Sequence, residues 1–87
     1  MTLQQTSLDA YADLLKQGLG AKQQAVFRAI KELGQASNLD IAHQLRWSIN
    51  RVTPRTNELV KMGKVTMAKK DISKYTGKKV IYWTTTV

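Results

Sequence analysis

No cysteine occurs among the 87 residues, which excludes a disulfide framework and a thiolate zinc site. The only histidine, His43, cannot build a zinc site without several carboxylates beside it. Six acids are spread along the chain, and no nucleophile–base pair or metal cluster assembles from their spacing. The expectation is a protein that is not an enzyme and carries no cofactor and no metal. The longest unbroken apolar run is Val80-Ile81-Tyr82-Trp83, far short of the roughly 20 residues of a membrane helix. The opening Met1-Thr2-Leu3-Gln4-Gln5 lacks the basic start and apolar centre of a signal peptide. A cytoplasmic location with no membrane contact follows as the expectation. Neither an internal repeat nor a low-complexity tract is present, and the length suits one domain with a thin core.

What the chain does have is positive charge, and that charge is one-sided. Residues 1–45 hold four bases and four acids, whereas residues 46–87 hold ten bases and two acids, which accounts for the whole formal +8. A field concentrated in one half attracts a polyanion and orients the protein on approach.

Apolar spacing predicts four helices. Thr6-Ser7-Leu8-Asp9 resembles a capping box, followed by Leu8, Tyr11, Ala12 and Leu15 at helical intervals, with Gly18 and Gly20 as a stop. A helix over about 21–33 follows, with Val26, Phe27, Ile30 and Leu33 as its buried stripe and Gly34 at its end. Ser37-Asn38-Leu39-Asp40 is a second capping pattern, leading into Leu39, Ile41, Ala42 and Leu45. His43 falls on the exposed side of that helix; a surface histidine is the plain reading and a pH switch the alternative. Trp47-Ser48-Ile49 makes a turn, and Ile49, Val52, Thr56, Leu59 and Val60 trace a fourth stripe closed by Gly63. Pro54 is tolerated in a first helical turn, which predicts a start no earlier than about Asn50, or Thr53 as the cap.

After Gly63 the period changes. Val65 and Met67 alternate with polar residues as in a strand, and 80–86 is rich in β-branched and aromatic residues. Thr76-Gly77 marks a turn between them. The stretch 71–79 reads as a long loop. Tyr82 and Trp83 point opposite ways, and the pattern leaves open which one is inside. Thr76-Gly77-Lys78-Lys79 lacks the second glycine and the Ser/Thr of a phosphate-binding loop. The six aromatics are scattered and do not form the paired platform of a single-strand RNA binder.

The chain resembles the winged helix-turn-helix DNA-binding family, of the small bacterial or phage-encoded type. Ile41-Ala42 with Leu45 resembles the first helix of the motif, and 47–53 its turn and the entry to the recognition helix. Leu59-Val60-Lys61-Met62-Gly63-Lys64-Val65 resembles the passage from that helix to the wing, and 76–86 the wing's return. Trp47, larger than the usual aliphatic, and Pro54, inside the recognition helix, depart from the pattern. Trp47 is expected to fill core space; Pro54 either shifts the helix start or presents a flat apolar surface to a base methyl. The resemblance implies an α+β fold, mostly α, with a helix-turn-helix followed by a two-stranded β wing. It implies residues 21–87 as the DNA-binding domain; residues 1–20 fall outside the resemblance, and their helix either packs on the domain or serves as a dimer element.

The physical logic points the same way. A helix fits the major groove of double-stranded DNA, arginine matches guanine and asparagine matches adenine. Arg51 and Arg55, four apart, are the leading candidates for base readout, supported by Asn50, Thr53 and Asn57. Ser48 and the wing lysines Lys69, Lys70, Lys74, Lys78 and Lys79 are candidates for the DNA backbone. A sequence-preferring DNA-binding regulator, often a homodimer on two half-sites, is the first reading. A protein-interaction module on the same scaffold, holding an acidic partner protein, is the alternative.

Overall fold

A computed structural model describes residues 18–87. The helix expected over 6–16, and most of the candidate dimer element, lie outside the described residues. Three helices come first, α1 (Ala21–Leu33), α2 (Asn38–Leu45) and α3 (Ile49–Lys61), followed by β1 (Val65–Ile72) and β2 (Lys79–Thr85) as an antiparallel hairpin.

Each boundary has a local cause. The Gln23 side chain accepts from the Gly20 N–H at 3.0 Å and fixes the start of α1. Gly34, at a φ of 81°, ends that helix by donating its N–H to the Ile30 carbonyl. The Ser37 capping box forms in full: its Oγ accepts from the Asp40 N–H at 3.1 Å, and the Asp40 carboxylate accepts from the Ser37 N–H at 3.0 Å. The turn to α3 uses Arg46 in the left-handed region, at φ 58° and ψ 39°, a conformation that disfavours side chains with a Cβ.

The start of α3 differs from expectation. It opens at Ile49, capped by Ser48, whose carbonyl accepts from the Arg51 and Val52 N–H groups. Pro54 is therefore the sixth residue of the helix and lies beyond the first turn. It has no N–H to give the Asn50 carbonyl, and this is tolerated because Asn50 is exposed and water can serve that oxygen.

The core lies where the three helices meet. Val26 and Ile30 from α1, Ile41 from α2, and Val52 and Leu59 from α3 are fully buried. Thr56 is buried among them and satisfies its hydroxyl by donating to the Val52 carbonyl. Leu19 is also buried, and its carbonyl accepts from Gln24 Nε2 at 2.7 Å. Three apolar residues expected in the stripes are exposed instead: Leu33 at 42%, Ile49 at 38% and Val60 at 36%. On a helix that turns about 100° per residue, Ile49 and Val60 sit about 50–75° from the centre of the buried stripe of α3. They fall at its edge. Leu33 is the last residue of α1 and lines an open groove with Asp40, His43, Tyr75 and Tyr82.

The hairpin is longer and its turn shorter than expected. Lys69, Lys70 and Asp71 belong to β1, with a bulge between Met67 and Lys69. Only 73–78 connect the strands, and these residues are organised. The Ser73 N–H donates to the Lys78 carbonyl at 2.9 Å, the Gly77 N–H to the Ser73 carbonyl at 2.9 Å, and the Tyr75 N–H to Ser73 Oγ at 3.1 Å. Trp83, not Tyr82, packs against the core. Its backbone also forms a reciprocal pair with Ala36, the Ala36 N–H donating at 2.9 Å and the Trp83 N–H at 2.8 Å.

These burials set a contrast for mutation. Leu59→Ala should cost about 2–5 kcal/mol, the range for deleting a fully buried leucine side chain. Asn57→Ala, two residues away but exposed, should change stability by less than about 0.5 kcal/mol. Urea unfolding of both variants measures the difference.

Candidate nucleic-acid interface

The buried stripe of α3 decides which of its side chains face outward. Taking about 100° per residue, Pro54 and Lys61 lie within about 15° of the direction opposite the core, and Asn50 and Asn57 within about 50°. Arg51 is about 75° away, Thr53 about 85° and Arg55 about 115°. The burial agrees: Asn50, Arg51, Pro54, Asn57 and Lys61 are exposed, whereas Thr53 and Arg55 are half-buried. The outward ridge is therefore Asn50, Pro54, Asn57 and Lys61.

The two arginines lie on one flank, as their spacing requires, and each has a partner. The Arg55 guanidinium donates to the Glu58 carboxylate at 3.0 Å and 3.3 Å. Glu58 also accepts from Gln23 Nε2 of α1 at 2.8 Å. Arg51 stacks over the Trp47 ring, with its guanidinium carbon 4.6 Å from the centroid. Trp47 itself packs on the core, so it supports both the interior and the arginine above it. Thr53 donates its hydroxyl to the Ile49 carbonyl at 3.0 Å. Ser48 caps the helix through its backbone; its side chain makes no cap hydrogen bond and is exposed.

The hairpin stands beside the first turns of this helix. Val80, Ile81 and Trp83 line one groove together with Ile49 and Thr53 of α3 and with Ser37, Asn38 and Leu39. Lys69, Lys70, Lys74, Lys78 and Lys79 are all exposed. Lys69 Nζ is 3.4 Å from the Asp71 carboxylate and 5.2 Å from the Tyr82 ring centroid. Tyr75, in the connecting turn, stacks flat on His43 of α2, with centroids 4.0 Å apart and the planes 2° from parallel. Lys74 Nζ stands 5.2 Å from the same tyrosine ring. The Tyr82 hydroxyl donates to the Ile72 carbonyl at 3.2 Å. The tip half of the hairpin is thus held by aromatic side chains.

Two carboxylates are held in the ionised form. The Gln23 hydrogen bond lowers the Glu58 pKa, helped by the charge and hydrogen bond of Arg55. The Ile72 N–H lowers that of Asp71, helped by Lys69. Among the described residues no group of three or more His, Asp or Glu side chains is placed to hold a metal ion. No helix among them is long and apolar enough to cross a membrane.

Comparison with solved structures places the architecture. The disulfide-formed AbfR matches with a TM-score of 0.65 and 22% identity over 98% of this chain. Transcriptional regulator PA4135 matches at 0.61 and 22% identity, also over 98%. An apo-form double mutant of ZitR from Lactococcus lactis matches at 0.59 and 20% identity over the same share. The fold is that of a winged helix. The chain spans 61–63% of the length of these three proteins. No family model and no curated protein matches the sequence.

Within this winged helix α3 is the second helix of the helix-turn-helix and the lysine-bearing hairpin is the wing. Sequence reasoning missed Lys61 on the outward ridge and Gln23 behind Glu58. A lysine in the last turn of a helix is ordinarily explained by the helix dipole, so nothing local marks the first. The second depends on a contact across 35 residues, which no local pattern carries.

Because the fold favours ionised Glu58, whatever stability this carboxylate contributes is present at neutral pH and is lost as pH falls through its lowered pKa. A Gln23→Ala variant should move the Glu58 midpoint upward, towards the ordinary carboxylate range. Carboxyl NMR titration of both proteins reads the shift.

Proposed function

We propose that this winged helix is a sequence-preferring double-stranded DNA-binding protein, a small transcriptional or phage-type regulator. Its recognition helix enters the major groove and its lysine-rich wing lies along the backbone. One observation carries the reading. The entire formal charge surplus of +8 falls in the half of the chain that builds α3 and the hairpin. There, the hairpin carries five exposed lysines, and its β2 residues Val80, Ile81 and Trp83 share a groove with Ile49 and Thr53 of α3. Lysines supply affinity through phosphates, and the polar ridge of α3 supplies side chains able to read base edges. Ser48, exposed at the cap, is placed for a phosphate at the start of the same helix. A homodimer reading two half-sites suits this motif.

Arg51, Thr53 and Arg55 flank the ridge and act from its sides. Glu58 restrains Arg55 and places a negative charge near the DNA, so Glu58→Gln should tighten duplex binding at fixed salt. If about five basic groups neutralise phosphates, log K should fall against log salt with a slope of about −4 to −5. The double variant Lys78→Ala/Lys79→Ala should make that slope shallower by about one for each phosphate no longer neutralised. Fluorescence anisotropy with a labelled duplex, measured over a salt series, tests both statements. Salt-insensitive or absent binding, with stoichiometric recovery of one acidic protein, would instead establish a protein-interaction module.

A further inference from the structure

We infer that the base-reading ridge of α3 selects A·T pairs, with Pro54 contacting a thymine methyl and Asn50 and Asn57 pairing with adenine. The inference rests on the proposed DNA-binding function and names the sequence class that the helix prefers. Three observations lead to it. First, the outward ridge contains no arginine. Its members are Asn50, Pro54, Asn57 and Lys61, all exposed. The two arginines sit on the flank, Arg55 paired with Glu58 at 3.0 Å and Arg51 laid on Trp47 at 4.6 Å.

Second, Pro54 is a locally unfavourable choice that the fold does not require. It is the sixth residue of α3, where a proline withdraws one donor and its ring crowds the carbonyl four residues back. It is exposed, so no burial offsets that cost. Residues that break a local rule on a surface point to recognition. Its ring is rigid, flat and apolar, and in the major groove the apolar feature of a base pair is the thymine C5-methyl.

Third, the neighbours on the ridge complement such a contact. Asn50 is four residues before Pro54 and Asn57 three after it, so both lie beside its ring on one face. Asparagine offers one donor and one acceptor at the spacing of adenine N7 and N6. The partner of adenine carries the methyl. An apolar ring between two amides is therefore matched to A·T pairs. Lys61 is the last residue of α3, away from the N-terminal turns that reach base edges, and it meets a phosphate.

The test begins with selection of bound duplexes from a random pool by the full chain. The enriched site should contain A·T pairs at its centre. Replacing its thymines with uracil, one at a time, removes single methyl groups; at one or two positions binding should weaken about threefold to fivefold, the worth of one methyl. In Pro54→Ala the difference between thymine and uracil should vanish, while the thermal midpoint rises because alanine restores the missing N–H. Asn50→Ala and Asn57→Ala should each lower specific affinity about tenfold and leave binding to random duplex unchanged. A G·C-centred site abolished by Arg51→Ala, yet indifferent to uracil and to the two asparagine variants, overturns the A·T assignment and leaves the DNA-binding function standing. Failure to retain any duplex at low salt overturns both.

Discussion

A pair of backbone hydrogen bonds between Ala36 and Trp83 joins the helical half of this protein to its wing. Ala36 lies between α1 and α2 and is fully buried, and Trp83 is in the middle of β2. Each residue gives its N–H to the other's carbonyl, so a minimal third strand lies beside β2. The Trp83 side chain meanwhile packs on the core. Two further ties close the frame: the Thr84 hydroxyl donates to the Gly34 carbonyl at 2.9 Å, and the Thr86 N–H to the Lys64 carbonyl at 3.0 Å. Each such bond is worth only about 0.5–1.5 kcal/mol net. Together they hold the hairpin against the connection between α1 and α2 and close its two ends on each other.

That placement gives the charge its meaning. Lysines on an isolated hairpin would be a solubilising edge. In the proposed DNA-binding function the wing lysines supply attraction and the polar ridge of α3 supplies discrimination. The stack of Tyr75 on His43 ties the wing's tip to α2. The arginines belong to the same surface but not to its crest. Glu58, held by Gln23, draws Arg55 back towards α1, and Trp47 spreads Arg51 along the flank.

The architecture was legible because its signals are local. The Ser37–Asp40 capping box, the glycines after α1 and α3, the change of period after Gly63 and the charge asymmetry are all properties of short windows, and each reappears in the folded chain. The orientation of the interface was not legible to the same degree. Arg51 and Arg55 share a side of α3 as a spacing of four demands, yet that spacing says nothing of where the side points. Pro54 read as a marker of the helix start. In the fold α3 begins earlier, because Ser48 caps it and the stripe of Val52, Thr56 and Leu59 holds its first turns against the core. The connecting loop looked long because Asp71 and Lys79 are poor strand formers. Pairing of Asp71 with Val80 and of Ile72 with Lys79 makes them strand nonetheless.

Short stretches of chain were enough to dictate the elements, their order, their caps and the half of the molecule that carries charge, since these follow from hydrogen bonding and periodicity within a few residues. The rotation of α3, the choice of Trp83 over Tyr82 for the interior, and the partners of the arginines came from the assembled fold. Those outcomes depend on contacts between residues tens of positions apart, such as Gln23 with Glu58 and Ala36 with Trp83. Only packing three helices and a hairpin around one small core brings those residues together.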